Sequence, residues 1–125
     1  MLLSREEAFN TYQTILDIKN KKMNIQTQYK LIKIKKAIEK EKELYTEQLF
    51  SCCEDYFEKN ENGEFLTNQD GGYKIKEDKI KECSFIISEL NKLKVQLPDI
   101  YFSIEELEEL KLSFEELENL MEFIK

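Results

Sequence analysis

The chain has no histidine, a single proline, three glycines and three cysteines in 125 residues. Each shortage excludes something. Without His there is no Ser-His-Asp or Cys-His nucleophilic site, no His-ligated zinc and no imidazole acid or base. No Gly-x-x-x-x-Gly-Lys-Ser/Thr or Gly-x-Gly-x-x-Gly loop is present to cradle phosphates. Three Cys, two of them adjacent (Cys52, Cys53), are an odd number with no zinc-ligand spacing, so neither a disulfide framework nor a thiolate metal site is expected. That cysteine usage fits a reducing cytoplasm. Few Gly and one Pro fit long helices with few loops. No run approaches the ~18 apolar residues of a membrane span. Met1-Leu2-Leu3 passes at once into Ser4-Arg5-Glu6-Glu7, which is not a secretory-signal pattern. The expectation is a cytoplasmic protein that is not an enzyme, with no cofactor, no metal and no membrane contact.

What is abundant is charge, at 36% of residues against a usual ~25%. The net charge of −7 is distributed in blocks of opposite sign. Residues 19–42 carry nine Lys against Glu39 and Glu41, a net +7. Residues 43–71 and 99–125 each net −7. Any partner argument starts from that separation. The length fits one domain, and one core is the natural expectation.

Ser4-x-x-Glu7 is a capping box that opens a first helix over about 5–19, with Leu2 or Leu3 stapled onto Ala8. A polar break at residues 20–24 leads to a second helix over roughly 26–59. Its apolar stripe is Leu31, Ile34, Ile38, Tyr45, Leu49, Cys52 and Tyr56, widened by Phe57. The two read as an antiparallel helical hairpin over about 5–59, with Glu39 to Glu43 a charged stretch that projects or bridges. Gly63 is a left-handed turn residue. Phe65-Leu66-Thr67 and Tyr73-Lys74-Ile75 around Asp70-Gly71-Gly72 predict a β-hairpin over about 64–76. Asp78 is placed as N-cap of a helix over about 79–93. Val95-Gln96-Leu97 is placed as a third strand on the hairpin, with Pro98 at the edge. Ser103-x-x-Glu106 and Ser113-x-x-Glu116 repeat the capping box and predict two short acidic helices within 103–125, separated by a Lys111-Leu112 corner. The fold class is mainly α (α+β), a single domain over 1–125.

Two patches are candidates for partner binding. Lys30, Lys33, Lys36 and Lys40 lie near one face of the second helix. Glu105, Glu106, Glu108, Glu109, Glu115 and Glu116 form the acidic one. The Lys block reads as a match for acidic segments or a protein partner, or as a solvated face. Contact with nucleic acid is a lesser alternative, because the block lacks the Arg forks that dominate phosphate and base recognition. Glu105, Glu106, Glu108 and Glu109 as Mg²⁺ or Ca²⁺ ligands are set below a solvated helix face. Asp70-Gly71-Gly72 lacks the spacing of an EF-hand. Cys52 and Cys53, about 100° apart on a helix, place at least one thiol in a core rather than forming a redox pair. The acidic tail also offers carboxylates to a basic groove in the manner of a nucleic-acid mimic. Leu107, Leu110, Phe114, Leu117, Leu120, Met121, Phe123 and Ile124 give it an apolar side expected to pack on the first and third helices.

The order of parts resembles a group of small phage and prophage proteins of low-GC bacteria. The likeness is carried by Ser4-Arg5-Glu6-Glu7, Asn20-Lys21-Lys22-Met23 and Glu61-Asn62-Gly63 leading into Asp70-Gly71-Gly72-Tyr73-Lys74-Ile75. The segment from Leu110 to Ser113 before the last helix adds to it. The resemblance implies an accessory protein of a mobile element, acting stoichiometrically on a host or phage component. Together with the small size, the missing catalytic groups and the charge separation, it leads to the expectation of a protein that binds and inhibits or redirects a host protein, with a nucleic-acid-handling defence enzyme favoured as target (anti-CRISPR or other anti-defence type). The alternatives are a virion-assembly component that forms oligomers and a nucleic-acid-binding regulator using the Lys-rich helix. The oligomeric state is left open.

Overall fold

The computed structural model describes all of residues 1–125. The chain is mainly helical with a small antiparallel sheet: β1 (Leu2–Ser4), α1 (Arg5–Ile18), α2 (Ile25–Cys53), α3 (Ile80–Asn91), β2 (Lys94–Gln96), α4 (Ile104–Glu108) and α5 (Phe114–Leu120). It divides into two compact units, residues 1–43 with 93–125, and residues 44–92. The boundary falls inside α2. Instead of one core, two buried clusters form.

In the first unit the Ser4 hydroxyl accepts from the Glu7 amide while the Glu7 carboxylate accepts from the Ser4 amide, the expected capping box. Asn24 starts α2 by accepting from the Thr27 amide at 2.8 Å. The two helices run antiparallel, since a short connection joins them and Arg5 near the start of α1 reaches Glu41 far along α2. The Glu39-to-Glu43 stretch therefore does not project. Glu41 accepts from Arg5 Nε at 2.6 Å, Arg5 is only 1% exposed, and Lys42 lies over the rings of Phe9 and Tyr12. A carboxylate beside a buried guanidinium removes the penalty of burying that charge alone.

The predicted third strand pairs elsewhere. β2 joins β1 with Leu3 opposite Val95, and the Arg5 amide donates to Leu93 O. Leu3 and Val95 enter a cluster with Ala8, Ile15 and Ile18 of α1 and Leu31, Ile34 and Ile38 of α2. Leu97, Phe102, Leu107, Leu110, Leu120 and Phe123 complete it. Thr11 is buried yet satisfied, its hydroxyl donating to Glu7 O and Asn119 O.

The second unit is built on an eight-residue repeat. Residues 56–63, 64–71 and 72–79 are three consecutive octapeptides with an aromatic at the second position (Phe57, Phe65, Tyr73). Bridges pair Lys59 with Phe65, Thr67 with Tyr73, and Ile75 back with Phe57. The hydrogen bonds cycle in the same way: Leu66 N to Glu58 O, Lys74 N to Leu66 O, and Glu58 N to Lys74 O. The predicted hairpin is thus two sides of a closed three-sided ring. The third side is residues 57–59, at the end of the helix expected over 26–59. α2 instead stops at Cys53, followed by a 3₁₀ turn over Glu54–Tyr56. Gly63 (φ +80°) and Gly71 (φ +87°) turn two corners of the ring, in a conformation that disfavours a Cβ. The three aromatics face one another with Phe50, at centroid distances of 4.6–6.1 Å. Asp78 does not cap α3. It lies in a 3₁₀ turn, Glu77–Lys79, and no side chain caps the helix.

Candidate partner-binding surfaces

The acidic surface is built by α4 and α5. In both, Ser at the N-cap accepts from the amide three residues on, and the Glu there returns the bond: Ser103 with Glu106 and Ser113 with Glu116. Lys111, at φ +50°, turns the corner between them. Two of the six candidate carboxylates therefore hold the fold. Glu116 is occupied with its cap. Glu106 also accepts both contacts of Lys30 Nζ, at 2.9 and 3.0 Å. The Ser103 amide, and then Lys30, hold the Glu106 carboxyl below the ordinary range. Glu105, Glu108, Glu109 and Glu115 remain exposed to solvent.

The basic candidates separate in the same way. Lys30 is committed to Glu106 and lies 5.4 Å from the Phe102 ring centroid. Nearby, Lys21 donates to Leu110 O and Lys111 O, where the chain leaves α4. Lys33, Lys36 and Lys40 are exposed. So the basic and acidic blocks do meet within the chain at the Lys30–Glu106 pair, and Lys21 reaches the same segment through backbone carbonyls.

The apolar residues of the tail depart from expectation. Leu107, Leu110, Leu120 and Phe123 are buried with α1 and α2. Phe114 is 85% exposed, Met121 55% and Leu117 39%. A groove of about 440 Å³ opens between α4 and α5, lined by Ile104, Leu107, Leu112, Leu117, Met121 and Ile124, with Glu108 and Lys111 on its margin. A polar cleft between α1 and α5 is lined by Asn10, Gln13, Thr14, Asp17, Ser113, Glu115, Glu116 and Asn119. Leu107, Leu117, Met121 and Ile124 belong to the apolar side read from the sequence, but helical spacing reports which residues share a face, not whether that face is covered. The available signal was an excess of large apolar residues in 103–124 over what two helices of five and seven residues can bury.

No three Cys, Asp or Glu side chains converge where a metal ion would sit, and no helix is long and apolar enough to cross a membrane. Cys52 is exposed, while Cys53 and Cys83 are buried. Burial, then the hydrogen bond of the Cys53 thiol with Cys83, pushes the Cys53 thiol up to about 12. It is a core group rather than a nucleophile.

No known protein family, curated protein or solved structure matches this chain.

Proposed function

We propose that this chain acts stoichiometrically, as a phage or prophage accessory protein that binds and inhibits or redirects a host protein. The favoured target is a nucleic-acid-handling defence enzyme. The observation that carries this reading is the surface of α4 and α5, where Glu105, Glu108, Glu109 and Glu115 stand exposed and an apolar groove opens with Glu108 and Lys111 on its margin. Exposed apolar area bordered by charge marks interaction sites. An array of carboxylates is complementary to the basic groove with which an enzyme holds phosphates, and it speeds encounter as well as selecting the partner. The capping boxes matter here because they fix both short helices without drawing on the exposed carboxylates.

Affinity capture from a host lysate, with mass spectrometry, tests the reading. A nucleic-acid-handling host protein retained at low salt and released as salt rises is the expected result, because screening weakens exposed charge pairs. Recovery of phage structural proteins alone would remove the host-target reading.

A further inference from the structure

Two surfaces of the unit formed by residues 1–43 and 93–125 are apolar and exposed, and lie in segments of opposite net charge. The first is the groove between α4 and α5, with Glu108 and Lys111 on its margin, in a segment (99–125) that nets −7. The second lies on the first half of α2. Ile25 and Tyr29 are 82% and 60% exposed, and Ile32 is exposed as well. Their i, i+4, i+7 spacing puts them in one row, on the side of α2 away from buried Thr27, Leu31, Ile34 and Ile38. Lys33 Nζ stands 5.1 Å from the Tyr29 ring centroid, and exposed Lys36 continues the row in a segment (19–42) that nets +7. An amphipathic helix presenting three large side chains at this spacing is the shape a hydrophobic groove accepts.

We propose that the groove receives the Ile25–Tyr29–Ile32 face of α2 from a second copy of this chain, with Lys33 and Lys36 of one copy meeting Glu105 and Glu108 of the other. The contact forms between copies, not within one. In each copy α2 already turns its opposite face to the core, and Lys30 pins it to Glu106. The two patches differ, so the interface is heterologous and leaves a free groove at one end and a free helix face at the other. Association is then open-ended. This inference goes beyond the host-binding reading and does not rest on it; both use the face of α4 and α5, so a groove filled by a second copy is closed to a host protein.

Sedimentation velocity of the full chain over rising concentration at low salt tests it, using Ile32→Glu (helix face) and Met121→Lys (groove). Both positions are exposed, and circular dichroism checks that the variants fold. The wild type is expected to grow beyond a dimer with concentration. Each variant alone should lose at least about tenfold in association, or about 1.4 kcal/mol. An equimolar mixture of the two should form a dimer and stop, since one good groove and one good helix face remain. A wild type that stays monomeric throughout, a variant that assembles like wild type, or a mixture that stays monomeric or passes beyond a dimer would each overturn the proposal.

Discussion

Replacing Phe57 by Ala tests the three-sided ring most sharply. The Phe57 ring is buried. It stacks on Tyr73 at 5.0 Å and 21°, and meets Phe50 and Phe65 edge-on at 5.8 and 6.1 Å. Removing a buried Phe side chain costs about 3–5 kcal/mol through lost transfer energy and the cavity left behind. Part of that is the aromatic pairing, at about 0.5–1.5 kcal/mol for each well-placed pair. A unit of about 50 residues has only about 2.5–7 kcal/mol of stability in total, so the loss takes most of it. Amide hydrogen exchange is the assay. In the wild type the Glu58, Leu66 and Lys74 amides, each donating to the next side of the ring, should open together with similar protection. In Phe57→Ala all three should lose it together. Thr67→Ala, at an exposed position of the same repeat, should change stability by no more than about 0.5 kcal/mol. If Leu66 and Lys74 stay protected in Phe57→Ala while Glu58 exchanges freely, residues 64–76 form an ordinary hairpin and the closed ring is wrong.

Glu41→Gln should destabilise by about 1–3 kcal/mol in chemical denaturation, because the buried Arg5 guanidinium loses a charged acceptor at 2.6 Å; a change within error would show that the pair contributes nothing. Ser103→Ala and Ser113→Ala should each cost about 1 kcal/mol of stability, read by thermal melting, through loss of the cap bonds. The Glu7 and Glu106 carboxyls are held below 4.5 by hydrogen bonds from Ser4 and Ser103. Their contribution is therefore present above pH ~4.5 and lost as pH falls through the lowered values, and a Glu106→Gln variant should show a shallower acid limb. Of the three thiols, Cys52 alone should react quickly with a maleimide at neutral pH, since Cys53 and Cys83 are buried; two fast thiols would contradict that packing.

The features legible in the sequence are those decided within four residues. All three Ser-x-x-Glu capping boxes form, because both partners of each bond lie in one helical turn. Gly63 and Gly71 take the positive φ their turns require. The end of α2 was misread for a physical reason: Tyr56 and Phe57 fall on its helical stripe, but their apolar surface is covered by the ring aromatics instead. β2 was given the wrong partner because its strand, β1, lies some ninety residues away, and alternation does not name a partner. The octapeptide repeat was there to be read in Phe57, Phe65 and Tyr73, in Asn60 and Asn68, and in Gly63 and Gly71. Its third copy obscures it, since Lys76 and Lys79 replace the Asn and Gly. Among the candidate site residues, charge alone could not separate Lys30, Glu106 and Glu116, which hold the fold, from Lys33, Lys36 and Glu105, which face solvent. That division depends on which helices meet.

On the proposed function, the exposed carboxylates of α4 and α5 bind a protein partner. The most direct test is quantitative capture from host lysate with the wild type and with a Glu105→Lys, Glu109→Lys, Glu115→Lys variant, whose three changes are at exposed positions. The wild type is expected to retain a nucleic-acid-handling host protein in one-to-one amount, and the charge-reversed variant is not. Equal retention by both chains, or no partner in stoichiometric amount on the wild type, would contradict it.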